Sequence, residues 1–392
     1  MNADPKHTPT PQAASRFGWK KTLVYSLVPA IVLLLAFEGA ARLIEVWWPP
    51  MQIDLGLGFM PESRAFVPGP TDPGVLVTHP DKVDIVFPPQ RFSREKPPNT
   101  LRIAAVGGSS VHYLKDFFPE MEARLEERLA GQFDNVEIIN AGGHAYGSDR
   151  AALVVAEVLH YDPSLLMLYT GHNEFEELEQ RTMTDLDTLP LQRLLGHAAL
   201  YRVLRDTFAR VHLAWLRQRH AHVTNAGEAK PWRLDLTAEE KAARMNTYEK
   251  NLRHILRLCR EADVPVVMGA LATNYWKPRL AEEETARKYE AVYEHFAAGR
   301  YAEGLALGRE ILRSADRRQA SDIENNIVRA LAREHNNASL VDVEAAVAAA
   351  EPHGVPGETL LRDECHLNED GNAILIRLFE DAIAAHFARP AE

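Results

Sequence analysis

At 392 residues with a formal net charge of −11, the chain can bury a sizeable core and is longer than one compact domain usually is. Five cations (Lys6, Arg16, Lys20, Lys21, Arg42) against three acids (Asp4, Glu38, Glu45) give the first 50 residues +2, which leaves −13 on the rest. So acidic a body argues against nucleic acid as a partner. Thr22–Phe37 is a run of 16 residues without a charge, with Arg16, Lys20 and Lys21 just before it. That is slightly short for a bilayer, which takes about 20 apolar residues. The helical pattern continues to Trp48, however, so the charged residues can snorkel and the tryptophans suit the membrane interface. No small-x-small site with a polar break follows the apolar core, which disfavours a cleaved signal peptide. The reading is a cytoplasmic tail over 1–21, a transmembrane anchor over 22–48, and the remainder outside the cytoplasm, because the basic residues flank the amino side.

Residues 49–100 hold 11 of the 24 prolines, in pairs at Pro49-Pro50, Pro88-Pro89 and Pro97-Pro98. Proline at that density blocks regular helix. The expectation is a Pro-rich stalk that packs partly along the domain that follows.

From Leu101 to about residue 390, apolar runs alternate with helical patterns. Strands are expected over Leu101–Val106, Val136–Ile139, Leu165–Tyr169, Val264–Leu271 and Ser339–Val343. Helices are expected over Val111–Leu129, Asp149–His160, Glu174–Gln180, Ala238–Ala262 and Glu369–Phe387. Such alternation predicts an α/β domain with a flavodoxin-like parallel sheet of about five strands and helices on both faces. Two helical insertions interrupt it. Residues 181–235 are basic, aromatic and leucine-rich, with Trp215 among them. Residues 280–336 read as a helix–turn–helix resembling one tetratricopeptide unit, which cannot bury both faces alone and must lean on the sheet domain. A protein partner is a candidate at that hairpin.

Four segments fall in loops that such a sheet brings to one crevice, at the carboxyl ends of its strands. They are Val106-Gly107-Gly108-Ser109, Asn140-Ala141-Gly142-Gly143, Gly171-His172-Asn173-Glu174 and Asp363-Glu364-Cys365-His366. Ser109 sits where a strand gives way to a helix, and there it is either a nucleophile or a helix cap. His366 three residues after Asp363 is either a base with its orienting carboxylate or a surface residue behind a cap. The Asn173 amide can donate to an oxyanion or serve a turn. His172 and Asn274 are candidate substrate contacts. His112, His144, His160 and His172 show no close-spaced ligand pair, and no cysteine pair supports a metal, so neither metal nor cofactor is expected. Cys259 and Cys365 fit an exported protein poor in disulfides, and their pairing is left open.

Order and placement make these blocks resemble the SGNH, or GDSL-type, esterase/lipase superfamily over residues 101–180 and 262–390. The last block is similar to the family's Asp-x-x-His-x-Asn-x-x-Gly pattern, whereas Gly108 replaces its usual aspartate. The resemblance implies Ser109 as nucleophile, His366 as base and Asp363 as its partner. It implies oxyanion donors at the Ser109 N–H, the Asn173 side chain and one second-block N–H. Counting from Asn140 puts that N–H at Ala145, although alanine adopts a positive φ reluctantly, and Gly142 or Gly143 are alternatives. The implied function is a membrane-anchored esterase cleaving acyl or acetyl esters of envelope glycans or lipids through an acyl-enzyme. Acyl transfer by the same residues, or a non-catalytic scaffold that docks a partner at the 280–336 hairpin, are the alternatives.

Overall fold

The computed structural model describes residues 19–48, 63–80, 82–84, 86–181, 191, 194–208, 211, 236–280, 283–315 and 317–388. The chain divides into two compact units, Met1–Ile53 with Thr188–Gly227 and Asp54–Asp187 with Glu228–Glu392.

In the larger unit, three short strands, β1 (Phe66–Pro68), β2 (Val75–Thr78) and β3 (Arg91–Ser93), form an antiparallel sheet. A second sheet is parallel throughout: β4 (Thr100–Gly107), β5 (Asn135–Gly142), β6 (Leu165–Tyr169), β7 (Val266–Ala270) and β8 (Ala338–Asp342), in the order β5-β4-β6-β7-β8. The first strand of this sheet lies between the second and third, which is the flavodoxin-like order. Every residue of β4, β6 and β7 is buried, as strands covered on both faces must be.

Side-chain alternation sorts the core. Leu101, Ile103 and Ala105 of β4 face one layer, with Met121 and Leu125 from the Phe118–Arg128 helix and Leu375, Phe379 and Ile383 from the Glu369–Phe387 helix. Ala104 and Val106 face the other, with Val155 from the Ser148–Val158 helix, Leu252 and Ile255 from the Ala238–Glu261 helix, and Leu331 from the Asp322–Glu334 helix.

Several expectations need correction. Residues 63–100 are no stalk: Phe66, Leu76, Phe87 and Phe92 are buried in the second of those layers. The Glu157 carboxylate accepts the N–H groups of Ala65 (2.8 Å) and Phe66 (3.0 Å). Proline thus shaped edges and turns of a small sheet here, rather than an extended arm. The helix expected over Val111–Leu129 breaks into Ser109–His112, a 3-10 turn over Tyr113–Asp116, and Phe118–Arg128. Pro119 supplies the reason, since it suits only the first turn of a helix.

The hairpin in 280–336 consists of Glu283–Ala297 and Tyr301–Ser314, turning at Gly299 with φ +71°. Tyr289, Val292, Phe296 and Leu312 pack with Tyr275 and Val355. Asp322–Glu334 is a separate helix on the sheet, with a Ser321/Glu324 capping box. The helix Val343–Ala350 went unanticipated.

In the smaller unit, Trp19–Trp47 is one helix, and Tyr25–Trp47 is long and apolar enough to cross a membrane. Glu38, Arg42 and Glu45 on this helix are partnered, Arg42 by Glu38 at 2.9 Å. Glu38 accepts the N–H groups of Ala199 and Leu200, both at 3.0 Å, at the start of a helix over 199–208. Glu45 takes the Arg202 guanidinium at 2.7 and 2.6 Å. Residues 1–18, 49–62 and 212–235, Trp215 included, lie outside the described residues, as do 182–190.

Candidate active site

The loops after β4, β5 and β6 and the loop before the closing helix meet at the carboxyl end of the parallel sheet. β4 ends in two glycines because nothing larger fits. A Cβ on Gly107 would lie 2.1 Å from the Tyr169 carbonyl oxygen, and one on Gly108 would lie 2.6 Å from the Asn173 amide nitrogen. Gly108 is the extended residue before the Ser109–His112 helix, so Ser109 opens that helix and its N–H has no intrahelical acceptor.

The Ser109 Oγ lies 2.7 Å from His366 Nε2. On the other side of that ring, His366 Nδ1 donates to Asp363 at 2.9 Å (Oδ1) and 2.8 Å (Oδ2). Asp363 also accepts the N–H groups of His366 (2.7 Å) and Cys365 (3.0 Å). Burial opposes its charge, but these hydrogen bonds, led by the His366 ring, hold it well below the usual carboxylate range. Serine, histidine and aspartate, 257 residues apart at the extremes (109 to 366), thus form one hydrogen-bonded line. Tyr113 meets the His366 ring edge to face at 5.1 Å, and the Arg362 guanidinium lies 4.2 Å over Tyr113.

Asn173 is buried next to Gly108, and its amide donates to the Tyr146 carbonyl at 3.0 Å. An amide NH₂ has a second hydrogen to give. Ala145 does adopt the left-handed conformation, with φ +58°. The conformation is held by its surroundings: the Arg150 guanidinium donates to the Ala145 carbonyl and lies 4.2 Å over the Tyr146 ring. Left-handed backbone costs a non-glycine residue about 1–2 kcal/mol. Ala145→Gly is therefore expected to raise stability by up to about 1 kcal/mol, after glycine's own entropic cost. Urea unfolding measures it, and a clear loss of stability would show that the alanine is unstrained.

Arg150 belongs to a buried ionic cluster that sequence reasoning missed. The Glu177 carboxylate accepts from Gly147 N (3.0 Å), Asp149 N (2.8 Å), Arg150 Nε (2.7 Å) and Arg244 Nη2 (3.2 Å). Glu174 takes Ser148 N (2.8 Å), Ser148 Oγ (2.8 Å) and Arg244 Nη2 (2.6 Å). This cluster ties the Ala145 loop to the Asn173 loop. Glu174 and Glu177 share one face of a helix at i,i+3, a spacing that an exposed surface shows equally often.

Both candidate substrate contacts are buried. Asn274 is fully buried: its oxygen accepts Trp276 N (2.9 Å) and Lys277 N (2.8 Å), and its amide donates to the Asp363 carbonyl at 2.8 Å. It braces the loop that carries Asp363. His172 is also buried, and its Nδ1 accepts the Ala320 N–H at 3.1 Å. The His144 ring lies 3.9 Å from that of His112 and 5.3 Å from that of Tyr113, while the exposed His160 bonds the Ala156 carbonyl.

Burial, then the nearby His366, pushes His172 down to about 3; burial, then His112 and His366, pushes His144 down to about 4. Free histidine titrates near 6.5, so the unfolded chain binds more protons than the folded one below that pH. Stability from these groups is complete above about pH 6.5 and is lost as the pH falls toward their folded values. His172→Asn keeps an acceptor for Ala320 N–H and removes the titration. The variant's urea midpoint should therefore fall less than the parent's between about pH 7 and pH 5. Equal falls would show that His172 is not a source of the acid sensitivity.

Asp363, Cys365 and His366 bring oxygen, sulfur and nitrogen donors within 4.8 Å of one another. The hydrogen bond to Asp363 occupies His366 Nδ1, and burial, with the charge of Asp363, keeps the Cys365 thiol protonated. That donor set serves the serine better than a metal. Cys259 and Cys365 are both free thiols.

No family model matches this sequence, and no curated protein matches it. Solved structures similar to the chain include a GDSL-like lipase from Bacteroides thetaiotaomicron, at 11% identity and TM-score 0.39, over 73% of this chain and 89% of that one. An acetylxylan esterase from Geobacillus stearothermophilus is similar at 13% identity and TM-score 0.39, over 74% and 97%. A further acetyl xylan esterase is similar at 16% identity and TM-score 0.39, over 72% and 99%.

Proposed function

We propose that this protein is a serine esterase that cleaves acyl or acetyl esters through a covalent acyl-enzyme. The observation that carries the reading is the Ser109 Oγ at 2.7 Å from His366 Nε2, with Asp363 bound to the far nitrogen of the same ring. Ser109 Oγ attacks the ester carbonyl carbon while its proton passes to His366 Nε2. The negative charge that develops on the carbonyl oxygen meets the Ser109 N–H, the Ala145 N–H and the second hydrogen of the Asn173 amide. Collapse of the tetrahedral intermediate breaks the bond to the alcohol oxygen, which takes the proton from His366. Water then attacks the acyl carbon while giving a proton to His366; the bond to Ser109 Oγ breaks, Oγ takes that proton back from His366, and the acid leaves. Asp363 holds the ring with Nδ1 protonated and stabilises the imidazolium that forms in each half.

In this reading the Tyr25–Trp47 helix anchors the enzyme, with the catalytic unit outside the cytoplasm, and the substrates are esters of envelope glycans or lipids. Hydrolysis of 4-nitrophenyl acetate by the detergent-solubilised full chain tests the chemistry. Steady release of nitrophenol and acetate is expected, and a folded protein with no turnover of this or longer-chain esters would contradict the proposal. A reporter fused after residue 392 tests orientation. Activity confined to the cytoplasm would overturn that part alone.

A further inference from the structure

The smaller unit carries an apolar surface that the catalytic reading leaves without a purpose. Leu191, Leu194 and Leu195 stand at i, i+3, i+4, and Leu204, Phe208 and Val211 at i, i+4, i+7, each set on one helical face. They are exposed to 55%, 69%, 39%, 62%, 74% and 63%, respectively. In water that much exposed leucine, phenylalanine and valine on one short segment marks an interaction site.

The same segment is fastened to the apolar helix. Glu38 caps the 199–208 helix through the Ala199 and Leu200 N–H groups, and Glu45 holds Arg202 through two hydrogen bonds. Arg202 also donates to the Gly196 carbonyl at 2.8 Å, which ties the preceding turn to the clamp. Seven residues of helix separate Glu38 from Glu45, a rise of about 10 Å. The fastened stretch is the last part of the span, ending beside the exposed Trp47 and Trp48, where tryptophans favour the headgroup level. Interfacial helices lie about 5–10 Å into that boundary, a depth comparable with the rise from Glu38 to Glu45.

We infer that the helix over 199–208 and its described neighbours form a membrane-interface element whose Leu191, Leu194, Leu195, Leu204, Phe208 and Val211 side chains enter the lipid beside the end of the anchor helix. The inference rests on the reading of Tyr25–Trp47 as membrane-spanning. The clamp also gives Glu38 two N–H donors beside its ion pair with Arg42 and pairs Glu45 with Arg202, which lowers the cost of carrying two carboxylates there. A segment held to the anchor at Ala199, Leu200 and Arg202 and wetted by lipid on its other face would fix the roll of the anchor as well as its depth.

Spin labels on single cysteines in the full chain, reconstituted into phosphatidylcholine–phosphatidylglycerol vesicles, test this. Cys259 and Cys365 are buried free thiols, so the introduced sites dominate labelling. The sites are Val32→Cys in mid-span, Leu204→Cys and Phe208→Cys on the segment, and Arg257→Cys on an exposed helix of the catalytic unit. Labels at 32, 204 and 208 are expected to collide with oxygen and to lose collision with a water-soluble nickel chelate, whereas 257 keeps it. If 32 behaves so while 204 and 208 meet the chelate as 257 does, the interface element is overturned and the anchor stands. If 204 and 208 are shielded from both reagents, protein and not lipid covers them, which also overturns it. If 32 itself meets the chelate, the span fails and takes the inference with it.

Discussion

Ser109→Ala is expected to lower kcat for ester hydrolysis by roughly three to six orders of magnitude, with KM changed little. Serine is the atom source of the new bond in the proposed mechanism, so nothing else in the site can replace it. His366→Ala should cost about as much, because a protonated hydroxyl 2.7 Å from an empty space is a poor nucleophile. The double variant should be no worse than either single one, since the pair acts as a unit. Asp363→Asn is expected to lose about 10⁴-fold while leaving the fold intact, because an amide facing His366 Nδ1 favours the wrong tautomer. Steady-state kinetics on 4-nitrophenyl acetate checks all four. A double variant whose loss is the product of the two single losses would show independent roles and contradict the mechanism.

The second large effect falls on stability. Glu177→Gln should destabilise the larger unit by about 3–5 kcal/mol. The carboxylate has no exposed surface and accepts five N–H groups, those of Gly147, Asp149 and Arg150 at the start of the Ser148–Val158 helix and those of the Arg150 and Arg244 guanidinium groups. Glutamine turns one acceptor into a donor and leaves Arg150 and Arg244 under-compensated in a buried site. Arg150 also holds the Ala145 carbonyl, so the surviving folded fraction should lose kcat as that loop relaxes. Urea unfolding followed by circular dichroism measures the first part. A shift below about 1 kcal/mol would show that water reaches the cluster and that its charges are not load-sharing.

The parallel sheet was readable because its strands are short apolar runs separated by helical patterns. Leu165–Tyr169 and Glu369–Phe387 match their expected bounds. The four loop segments were readable for the same reason, since each abuts such a run or the closing helix. What escaped was decided by tertiary contact. Phe66, Leu76 and Phe92 sit in a proline-rich stretch with no clean period, and only their burial shows them to be core. Arg150, Glu177 and Arg244 look like ordinary surface charges until three elements close around them. Ala145 was doubted on intrinsic backbone preference, which a guanidinium on its carbonyl outweighs. Asn274 follows its strand at the correct end, but its amide is turned inward to Asp363.

The central claim, that Ser109 is made nucleophilic by His366, is tested most directly by treating the full chain with a fluorophosphonate and mapping the adduct by peptide mass spectrometry. The account predicts one stoichiometric adduct on the peptide containing Ser109, abolished in Ser109→Ala and nearly so in His366→Ala. A folded parent protein that stays unmodified, or a Ser109→Ala variant that labels as well as the parent, would contradict it.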